Sequence, residues 1–370
     1  MYIKSLKLQN FRNYADESFA FDPAVNLICG ENGQGKTNLL EAAAACSTMR
    51  LFRTAQKKEG LRFGENHAFI FADFLAQERD ISLELRFSRT KAMEIYKNGV
   101  RQKRQSDAQG LLKTVLFCPE DLMLVRAGAA ARLRFLDTAL CQMRPNYARY
   151  LEEYKRLHEH KTRILRDSEE KPSLLSMWED FSLRMAHIGA QIIRYRAYYC
   201  RKLLKAAAAV YADIAPHEVL SGVYKTVSSV TDPFADARTI EKQLIDHVFS
   251  HKTAEIAAKS CLSGPHKDDL ELLLDGRSAA SFGSQGQVRT CTLSLKLAER
   301  ELFFDEDGEY PVLLLDDVLS ELDRRRQDFV LNRISAGQVM ITCCEDGISE
   351  KLRAGAVFHI QNGEKSAETH

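Results

Sequence analysis

The glycine-rich stretch that decides the fold has eight residues, Gly30-Glu31-Asn32-Gly33-Gln34-Gly35-Lys36-Thr37. It fits the pattern G-x-x-x-x-G-K-[ST], between an apolar run at residues 25–29 and a helix-forming run at residues 39–45. Glycines in such a loop let successive backbone N–H groups point at an anion, and the following helix N-terminus adds positive potential. The stretch therefore predicts a strand–loop–helix unit of an α/β fold that binds nucleotide phosphates. Lys36 would contact the β- and γ-phosphates, and the Thr37 hydroxyl would bind Mg²⁺.

Length and composition limit the class of protein. A chain of 370 residues is long for one hydrophobic core, so two domains are expected. Apolar residues make up 45% and charged residues 28%, which is typical of a globular protein rather than a disordered one. The net charge of +1 says nothing about nucleic acid, because it does not exclude a local basic face.

Cysteine usage and hydropathy indicate a cytoplasmic protein. The nine cysteines include no C-x-x-C pair, so we expect reduced thiols and neither a disulfide framework nor a zinc site. The N-terminal residues lack the apolar core of a signal peptide, and no apolar run approaches the roughly 18 residues that a membrane-spanning helix needs. We therefore expect no membrane partner.

Periodicity divides the chain into a β-rich first part, a helical middle and a mixed last part. In the first 100 residues apolar and polar residues alternate, and Asn98-Gly99 predicts a tight hairpin turn. In the middle, two segments have helical periodicity, and residues 167–172 between them predict the turn of an antiparallel helical hairpin with arms of about 25–30 residues. The apolar stripe of the second arm is Trp178, Phe181, Met185, Ile188, Ile192, Tyr195 and Tyr199.

A second element of a nucleotide site lies near the C-terminal end. Residues 312–315 (VLLL) predict a strand of a parallel sheet buried on both faces, and Asp316 and Asp317 follow it directly. A carboxylate there can hold Mg²⁺ opposite the phosphates, here Asp316, while Asp317 orients or activates the attacking water. Alone, a buried strand that ends in acids is a weak signal. Paired with the phosphate loop, it becomes a strong one.

A turn with Ser284, Gly286 and Gln287 precedes another predicted helix and has no lysine. Taken alone, Ser284 fits an ordinary helix N-cap. A serine, two glycines and a helix N-terminus can also bind an anion. Since each subunit already has a phosphate loop, a second phosphate-binding turn makes sense if it contacts the γ-phosphate held by another copy of the chain.

In this order, the three elements resemble the ATP-binding-cassette ATPases. Residues 30–37 match the Walker A loop, residues 284–287 the signature turn, residues 316–317 the end of Walker B, and residues 319–323 (LSELD) the loop after it. The resemblance implies that two heads sandwich two ATP molecules, each between one subunit's Walker A loop and the other's signature turn. It also implies an ATPase lobe of residues 1–118 and 306–370, with an antiparallel β subdomain, and a helical lobe of residues 119–305 with the signature turn.

Four further stretches are similar to the RecF family of recombination and repair ATPases. They are FCPEDL at residues 117–122, RLRFLD at 132–137, GPHKDDL at 264–270 and GSQGQ at 283–287. The opening LKLQNFRNY (6–14) is similar to the chromosome-maintenance and recombination branch, while the helical insert is too short for long coiled coils. This resemblance implies that Arg12 lies by the nucleotide, which residues 30–37 and Asn38 also contact.

The family resemblance also implies what the protein does. It implies an ATP- and Mg²⁺-dependent DNA-binding protein with weak, DNA-dependent ATPase activity, in which Lys36, Asp316 and Asp317 are catalytic. ATP would drive homodimerisation on DNA, and slow hydrolysis would release the dimer. Such proteins act at single-strand gaps and stalled forks, where RecO and RecR are partners in loading RecA.

Three positions depart from the general cassette pattern. Asp317 replaces the usual glutamate, and its shorter side chain would hold the carboxylate farther from the attacking water, which favours slow turnover. Cys343 stands where a histidine usually contacts the γ-phosphate. The usual glutamine at the border of the helical lobe is not obvious, and Glu120 is a candidate for its place.

Two basic clusters are candidates for DNA contacts. Arg101, Lys103 and Arg104 follow the predicted hairpin turn, and the second helical arm carries Arg194, Arg196, Arg201, Lys202 and Lys205. Either cluster can neutralise backbone phosphates or simply form a solvated face, and we expect little sequence preference. Two other function classes stay open. A P-loop small-molecule kinase would need no signature turn, and a transporter-type ATPase subunit would normally keep the histidine.

Overall fold

The chain forms two compact units in a computed structural model that describes residues 1–54, 56–334, 336–344 and 355–366. One unit consists of Met1–Met123 and Thr292–His370, and the other of Leu124–Cys291. The borders of these units, after residues 123 and 291, do not coincide with the predicted lobe borders after residues 118 and 305, which stay a prediction. The second predicted border lies in the last turn of the helix Gln285–Asp307. Helical periodicity continues through this whole helix, so the sequence contains no signal for the position at which its packing partners change. Residues 345–354 and 367–370 of the predicted ATPase lobe lie outside the described residues.

Helices and strands alternate in an α/β pattern. Nine α-helices occur in the described part of the chain, α1 to α9: Lys36–Thr48, Ala129–Met143, Pro145–Asp167, Trp178–Ile214, Ala237–Ser250, Lys252–Ala258, Ala279–Phe282, Gln285–Asp307 and Arg324–Arg333. The strands there, β1 to β15, are Tyr2–Phe11, Tyr14–Ala20, Val25–Cys29, His67–Ala76, Arg79–Ser88, Glu94–Lys97, Val100–Arg101, Thr114–Phe117, Leu220–Lys225, Asp269–Leu274, Arg277–Ser278, Val312–Leu315, Val339–Cys343, Ala356–Gln361 and Glu364–Lys365. Within these residues, every helix is too short or too polar to span a membrane.

A parallel sheet carries the glycine-rich loop in the first unit. Its strand order is β15-β14-β3-β13-β12-β8, and β14, β3, β13, β12 and β8 run parallel. All residues of β12 and β13 are buried, so the strand predicted at residues 312–315 is confirmed. Because carboxyl ends of parallel strands share one edge, the loop after β3 and the acids after β12 lie at the same edge of this sheet.

The antiparallel sheet of the same unit has the order β2-β1-β4-β5-β6-β7. Asn98 and Gly99 both have positive φ between the paired Lys97 and Val100, which confirms the predicted tight turn. Helix α1 contacts β4 of this sheet and β8 and β13 of the parallel sheet. Its alanines at residues 42–45 are buried, and such small side chains suit a helix that packs on both sides. The hydrophobic core joins residues of α1 and both sheets.

The second unit contains the helical hairpin and a three-stranded sheet, β11-β10-β9. The hairpin is antiparallel, because Tyr147 of α3 lies 5.6 Å from Tyr195 of α4 and His160 lies 6.1 Å from Phe181, between ring centroids. The predicted arm length of about 25–30 residues is wrong for α4, which has 37 residues, and slightly too long for α3, which has 23. Helix α4 is longer because it also packs on α5 and β9.

A buried arginine cluster, defined here as Arg196, Asp137, Asp268, Tyr147 and Tyr224, stabilises this second unit. The guanidinium of Arg196 donates to Asp137 Oδ1 (2.8 Å), Asp268 Oδ2 (3.0 Å) and the carbonyl of Pro265 (2.6 Å). Tyr147 and Tyr224 donate to Asp137 and Asp268 respectively. Arg196 is therefore part of the core, and its prediction as a DNA contact on the second arm is wrong.

Two of the family-like stretches are joined in the same region. Arg132, in RLRFLD, donates two hydrogen bonds to the carboxylate of Asp269, in GPHKDDL, at 2.7 and 2.8 Å. The arginine cluster links Asp137 of the first stretch to Asp268 of the second. The two stretches therefore contact each other, directly through Arg132 and indirectly through Arg196, and these contacts link α2, α4 and the start of β10.

Candidate nucleotide-binding site

The backbone of the glycine-rich loop requires its glycines. Gly30, Gly33 and Gly35 have φ values of +148°, +82° and +121°, in the range that side chains disfavour. A Cβ at Gly30 would lie 2.4 Å from the carbonyl oxygen of Ile360, and one at Gly35 would lie 2.6 Å from Asn13 Nδ2. The loop between β3 and α1 can therefore form only with glycine at these two positions.

Lys36 is the first residue of α1 and is 3% exposed. Its Nζ donates to the carbonyls of Gly30 (2.6 Å) and Glu31 (3.1 Å), and lies 3.4 Å from Cys344 Sγ. The ammonium group is thus held within the loop, where it can exchange carbonyl oxygens for phosphate oxygens. Its predicted contact with the β- and γ-phosphates stays a prediction.

The two predicted metal-binding side chains meet directly. Thr37 Oγ1 donates to Asp316 Oδ1 at 2.9 Å, although 279 residues separate them in sequence. Thr342, at the end of β13, was not predicted as a site residue. Its hydroxyl lies 3.1 Å from Asp316 Oδ1 and 3.1 Å from Asp317 Oδ1, and it accepts from the Asp317 backbone N–H at 2.7 Å. Thr342 therefore positions both acids.

The electrostatics of this edge favour a cation. Burial raises the pKa of Asp316 to about 6, and the charges of Asp317 and Glu120 act in the same direction, while hydrogen bonds from Thr37 and Thr342 oppose them. In the described part of the chain, no group of three or more His, Cys, Asp or Glu side chains could hold a metal alone. Mg²⁺ typically takes one or two protein oxygens with substrate phosphates and water. Thr37 and Asp316 fit that type of site.

A network of asparagines supports the loop from outside. Asn13 Nδ2 donates to the Gln34 carbonyl, and Asn13 Oδ1 accepts from Asn38 Nδ2, both at 2.8 Å. The sequence analysis did not identify Asn13 as a site residue. Its position in the opening LKLQNFRNY stretch, which carries part of the family resemblance, was the signal that could have indicated it. Asn38 thus has a structural contact behind the loop, and its contact with a nucleotide stays a prediction.

Arg12 is bound to the same helix through a buried acid. Its guanidinium donates to Glu41 of α1 at 2.7 and 3.1 Å, and Glu41 is fully buried. Arg12 also has a positive φ of 54°. This bidentate pair fixes Arg12 beside the helix that begins with Lys36, while its contact with a nucleotide stays a prediction.

The two cysteines after β13 face different partners. Cys343 is buried, with its Sγ 2.9 Å from Cys29 Sγ, whereas the exposed Cys344 lies 3.0 Å from Asn32 Oδ1 and 3.4 Å from Lys36 Nζ. The side chain that reaches the loop is therefore one residue later than the position predicted from the cassette pattern. Glu120 lies on an exposed turn, near enough to Asp316 to affect its pKa.

The signature turn forms a reciprocal helix cap. The backbone N–H of Gln287 donates to Ser284 Oγ at 3.2 Å, and the N–H of Ser284 donates to Gln287 Oε1 at 2.8 Å. Ser284 is exposed and lies just before α8. The structure therefore confirms that Ser284 caps the helix N-terminus. Anion binding by Ser284, Gly286 and Gln287 stays a prediction.

Most of the predicted DNA-contacting residues are exposed, whereas Arg194 is half-buried and Arg196 is buried in the arginine cluster. Arg101 forms an ion pair with Glu94 at 2.7 Å, so part of its charge is compensated. Lys103 and Arg104 follow on the surface. On the second helical arm, Arg201, Lys202 and Lys205 are exposed as well.

Comparisons with known proteins agree with this architecture over the whole chain. A family model described as "RecF/RecN/SMC N terminal domain" matches residues 2–366. The "DNA replication and repair protein RecF" of Clostridium tetani is 35% identical, covering 98% of this chain and 99% of its own. The protein of the same name from Bacillus cytotoxicus is 37% identical, covering 100% of this chain and 99% of its own.

Solved structures give the same result. The structure described as "recombination mediator protein RecF-ATP in RecFOR pathway" matches with a TM-score of 0.91 and 31% identity, covering 99% of this chain and 98% of that chain. An Smc head domain from Pyrococcus furiosus matches with a TM-score of 0.55 at 14% identity, covering 99% of this chain and 95% of that chain, which shows a shared fold alone. The chain thus has the fold of an ATP-binding-cassette head, and it belongs to the RecF family.

Proposed function

We propose that the protein is an ATP-dependent DNA-binding protein of recombinational repair and replication restart. ATP with Mg²⁺ drives its homodimerisation on DNA, and slow hydrolysis releases it. The family resemblance extends the proposal to a cytoplasmic protein that helps load RecA at single-strand gaps with RecO and RecR. Relatives of full length named for DNA replication and repair support this proposal, as does the similarity to an ATP-bound recombination mediator.

The observation that carries the proposal is the convergence of Lys36, Thr37 and Asp316 at one sheet edge. Thr37 Oγ1 and Asp316 Oδ1 lie 2.9 Å apart, and the Lys36 ammonium is held within the glycine loop. Bound Mg²⁺ would neutralise phosphate charge, and Thr37 and Asp316 would hold it. Lys36 would bind the β- and γ-phosphates through its N–H donors.

Asp317 is the residue proposed to orient the attacking water. Thr342 accepts from its backbone N–H and also lies within hydrogen-bond distance of its carboxylate, so the acid is held at the end of β12. Its φ of 50° is unusual for a residue other than glycine, and such a backbone is commonly retained at functional sites. An aspartate here reaches less far than a glutamate, which agrees with slow turnover.

Ser284, Gly286 and Gln287 are proposed to close the site of a second copy. Ser284 is exposed at the N-terminus of a 23-residue helix, where backbone N–H groups favour an anion. A nucleotide held by one subunit would then be completed by the other subunit's turn, so that ATP links the two copies. Lys103 and Arg104, with a smaller share from Arg101, are proposed to contact DNA phosphates.

Oligomeric state in the presence of ATP tests this proposal. The Asp317→Asn variant, with Mg²⁺, ATP and a gapped duplex, should elute as a dimer in size-exclusion chromatography with light scattering. Adding Ser284→Arg should return it to a monomer while ATP still binds, because the larger cation blocks the turn. The matched control is Ser281→Arg, at another exposed serine, which should stay dimeric.

Two outcomes would overturn the proposal. A monomer at saturating ATP with Asp317→Asn and DNA present would remove the ATP-linked dimer. Dimerisation that persists with Ser284→Arg would remove the signature turn from the interface. The alternative classes, a small-molecule kinase or a transporter subunit, are then tested by phosphoryl transfer to an acceptor and by membrane association.

A further inference from the structure

Two cysteines with no role in the proposed hydrolysis lie at the ends of β3 and β13, next to the nucleotide loop. Cys29 is the last residue of β3, directly before Gly30, and Cys343 is the last residue of β13. The two are direct partners in the register of these parallel strands, and their Sγ atoms lie 2.9 Å apart. We propose that Cys29 and Cys343 form a reversible disulfide, a thiol-redox modification site that controls ATP binding.

The strand geometry allows this bond. Neighbouring strands lie about 4.8 Å apart, within the Cα–Cα range of about 4.4–6.8 Å that disulfides bridge. Both side chains are on the same side of the sheet, since their sulfur atoms are in contact. A bond of about 2.05 Å requires the two sulfurs to approach by less than about 1 Å, which side-chain rotation and a small backbone shift can supply.

The reaction needs an oxidant of the peroxide class and balances with hydrogen peroxide. One cysteine sulfur, as a thiolate, attacks a peroxide oxygen, so the O–O bond breaks and a sulfenic acid forms, while the leaving hydroxide takes up the proton that this thiol released and becomes water. The second sulfur then attacks the sulfenic sulfur, the S–O bond breaks, and the leaving hydroxide takes the thiol proton as water. Two thiols lose two electrons, and peroxide is reduced to two water molecules. A small thiol reductant reverses the reaction by exchange.

Small oxidants have a short route to the pair. Both thiols are buried, at 2% and 5% exposure, but Cys344 and Asn32 beside them are exposed. The cysteine pair therefore lies directly beneath the open edge of the nucleotide site. Disulfides in reducing compartments are typically transient and redox-sensing, which suits a pair that closes only under peroxide stress.

The disulfide would act on both halves of the site. On one side, the Gly30 carbonyl accepts from Lys36, and the Gly30 backbone already lies against Ile360. On the other side, Thr342, the neighbour of Cys343, contacts both Asp316 and Asp317. A shift of either strand end would weaken a charge-assisted phosphate contact, and loss of one such contact lowers ATP affinity by about tenfold.

Peptide mapping of the full-length protein tests the chemistry. After treatment with hydrogen peroxide and blocking of remaining thiols, wild-type protein should yield a cross-linked peptide joining Cys29 to Cys343, which dithiothreitol removes. Cys29→Ala and Cys343→Ala should each lose this product. Cys46→Ala, at another buried cysteine on α1, is the matched control and should retain it. Because the wild-type map alone shows whether the bond forms, a variant that fails to fold leaves the test intact.

Titration with a fluorescent ATP analogue tests the consequence. Oxidised wild-type protein should bind about tenfold more weakly than reduced protein, with full recovery after reduction, and Cys29→Ala should show no such change. Oxidation confined to the exposed Cys344, or a disulfide that leaves affinity unchanged, would overturn the proposal. The effect on affinity rests on the proposed ATP site. If reduced protein fails to bind ATP, that proposed function fails, while the peptide map still decides whether the disulfide forms.

Discussion

The nucleotide site and the arginine cluster both contain several charged side chains, but the two regions differ in which groups bind their acids. In the arginine cluster, the guanidinium of Arg196 already lies within 3.0 Å of oxygens from Asp137 and Asp268. At the nucleotide site, the hydrogen bonds to Asp316 come from hydroxyl groups, and further acids lie nearby. The first arrangement stabilises the fold, while the second holds negative charge together for a cation that the ligand brings.

This contrast distinguishes residues that carry the family resemblance from residues that would carry the chemistry. The stretches RLRFLD and GPHKDDL carry part of the resemblance to the RecF family, yet their charged side chains are paired inside the second unit. Arg132 pairs with Asp269, and Asp137 and Asp268 both pair with Arg196 of α4. The general Walker motifs form the site with exchangeable partners. Residues that carry a family resemblance can therefore be those that stabilise its particular fold, and four variants test that division.

Removing the cation of the arginine cluster should have the largest effect. Arg196→Ala leaves Asp137 and Asp268 buried without their guanidinium, and loss of one partner of a buried pair costs about 3–5 kcal/mol of unfolding free energy. Denaturant unfolding measures this cost. Arg201→Ala is the control, because Arg201 is exposed over Tyr198 and Phe234 and such contacts contribute about 0.5–1 kcal/mol. Equal losses in both variants would break the comparison.

Removing the charge of Asp316 from the nucleotide site should raise the free energy of unfolding rather than lower it. The folded pKa of Asp316, about 6, lies above the ordinary 3.8, so the folded protein binds more protons between these values. Stability from this group therefore falls as pH rises from about 4 to 6 and stays low above it. Metal-free Asp316→Asn should lose that pH dependence and be more stable at pH 8 by up to about 3 kcal/mol.

Thermal or denaturant unfolding across that pH range measures the change, while Mg²⁺-dependent ATP turnover should fall in the same variant. Asp305→Asn, at an exposed acid, is the matched control and should leave both quantities unchanged. If Asp316→Asn destabilised the metal-free protein at pH 8, the carboxylate would belong with the stabilising charges of the arginine cluster.

Replacing the loop lysine should reduce catalysis without affecting the fold. A guanidinium in Lys36→Arg cannot take the compact place of the ammonium within the loop, and loss of one preorganised donor lowers turnover by about 100-fold or more. Phosphate release measures turnover, and the unfolding free energy should change by less than about 1 kcal/mol. Wild-type turnover in this variant would contradict the assignment of Lys36.

The smallest effect is expected at exposed cations. Lys103→Glu with Arg104→Glu should weaken DNA binding several-fold and reduce the slope of log affinity against log salt by about 2, since each phosphate contact contributes about 0.9. The same double variant should unfold like the wild type, because these side chains are exposed. Binding to a gapped duplex at several salt concentrations measures the slope. An unchanged slope would place the DNA contacts elsewhere, with Arg201, Lys202 and Lys205 next to test.

Local patterns were sufficient for much of this protein. The glycine spacing of residues 30–37, the apolar run at 312–315 and the Asn98-Gly99 turn all depend on backbone preferences and burial within a few residues. Those signals predicted the loop, the buried strand and the hairpin correctly. The length of α4 was not predictable in the same way, because its partners α5 and β9 follow it in the chain.

What the sequence by itself determined is the set of elements and the chemistry that they can carry: a phosphate loop, acids after a buried strand, and a fold family. Only the tertiary structure decided which side chains share a site. It placed Thr342 between two acids, directed Cys344 rather than Cys343 towards Lys36, brought the sulfur atoms of Cys29 and Cys343 into contact and buried Arg196. The physical reason is that these contacts depend on strand register and on packing between residues far apart in sequence, while periodicity and motifs report only on neighbours along the chain.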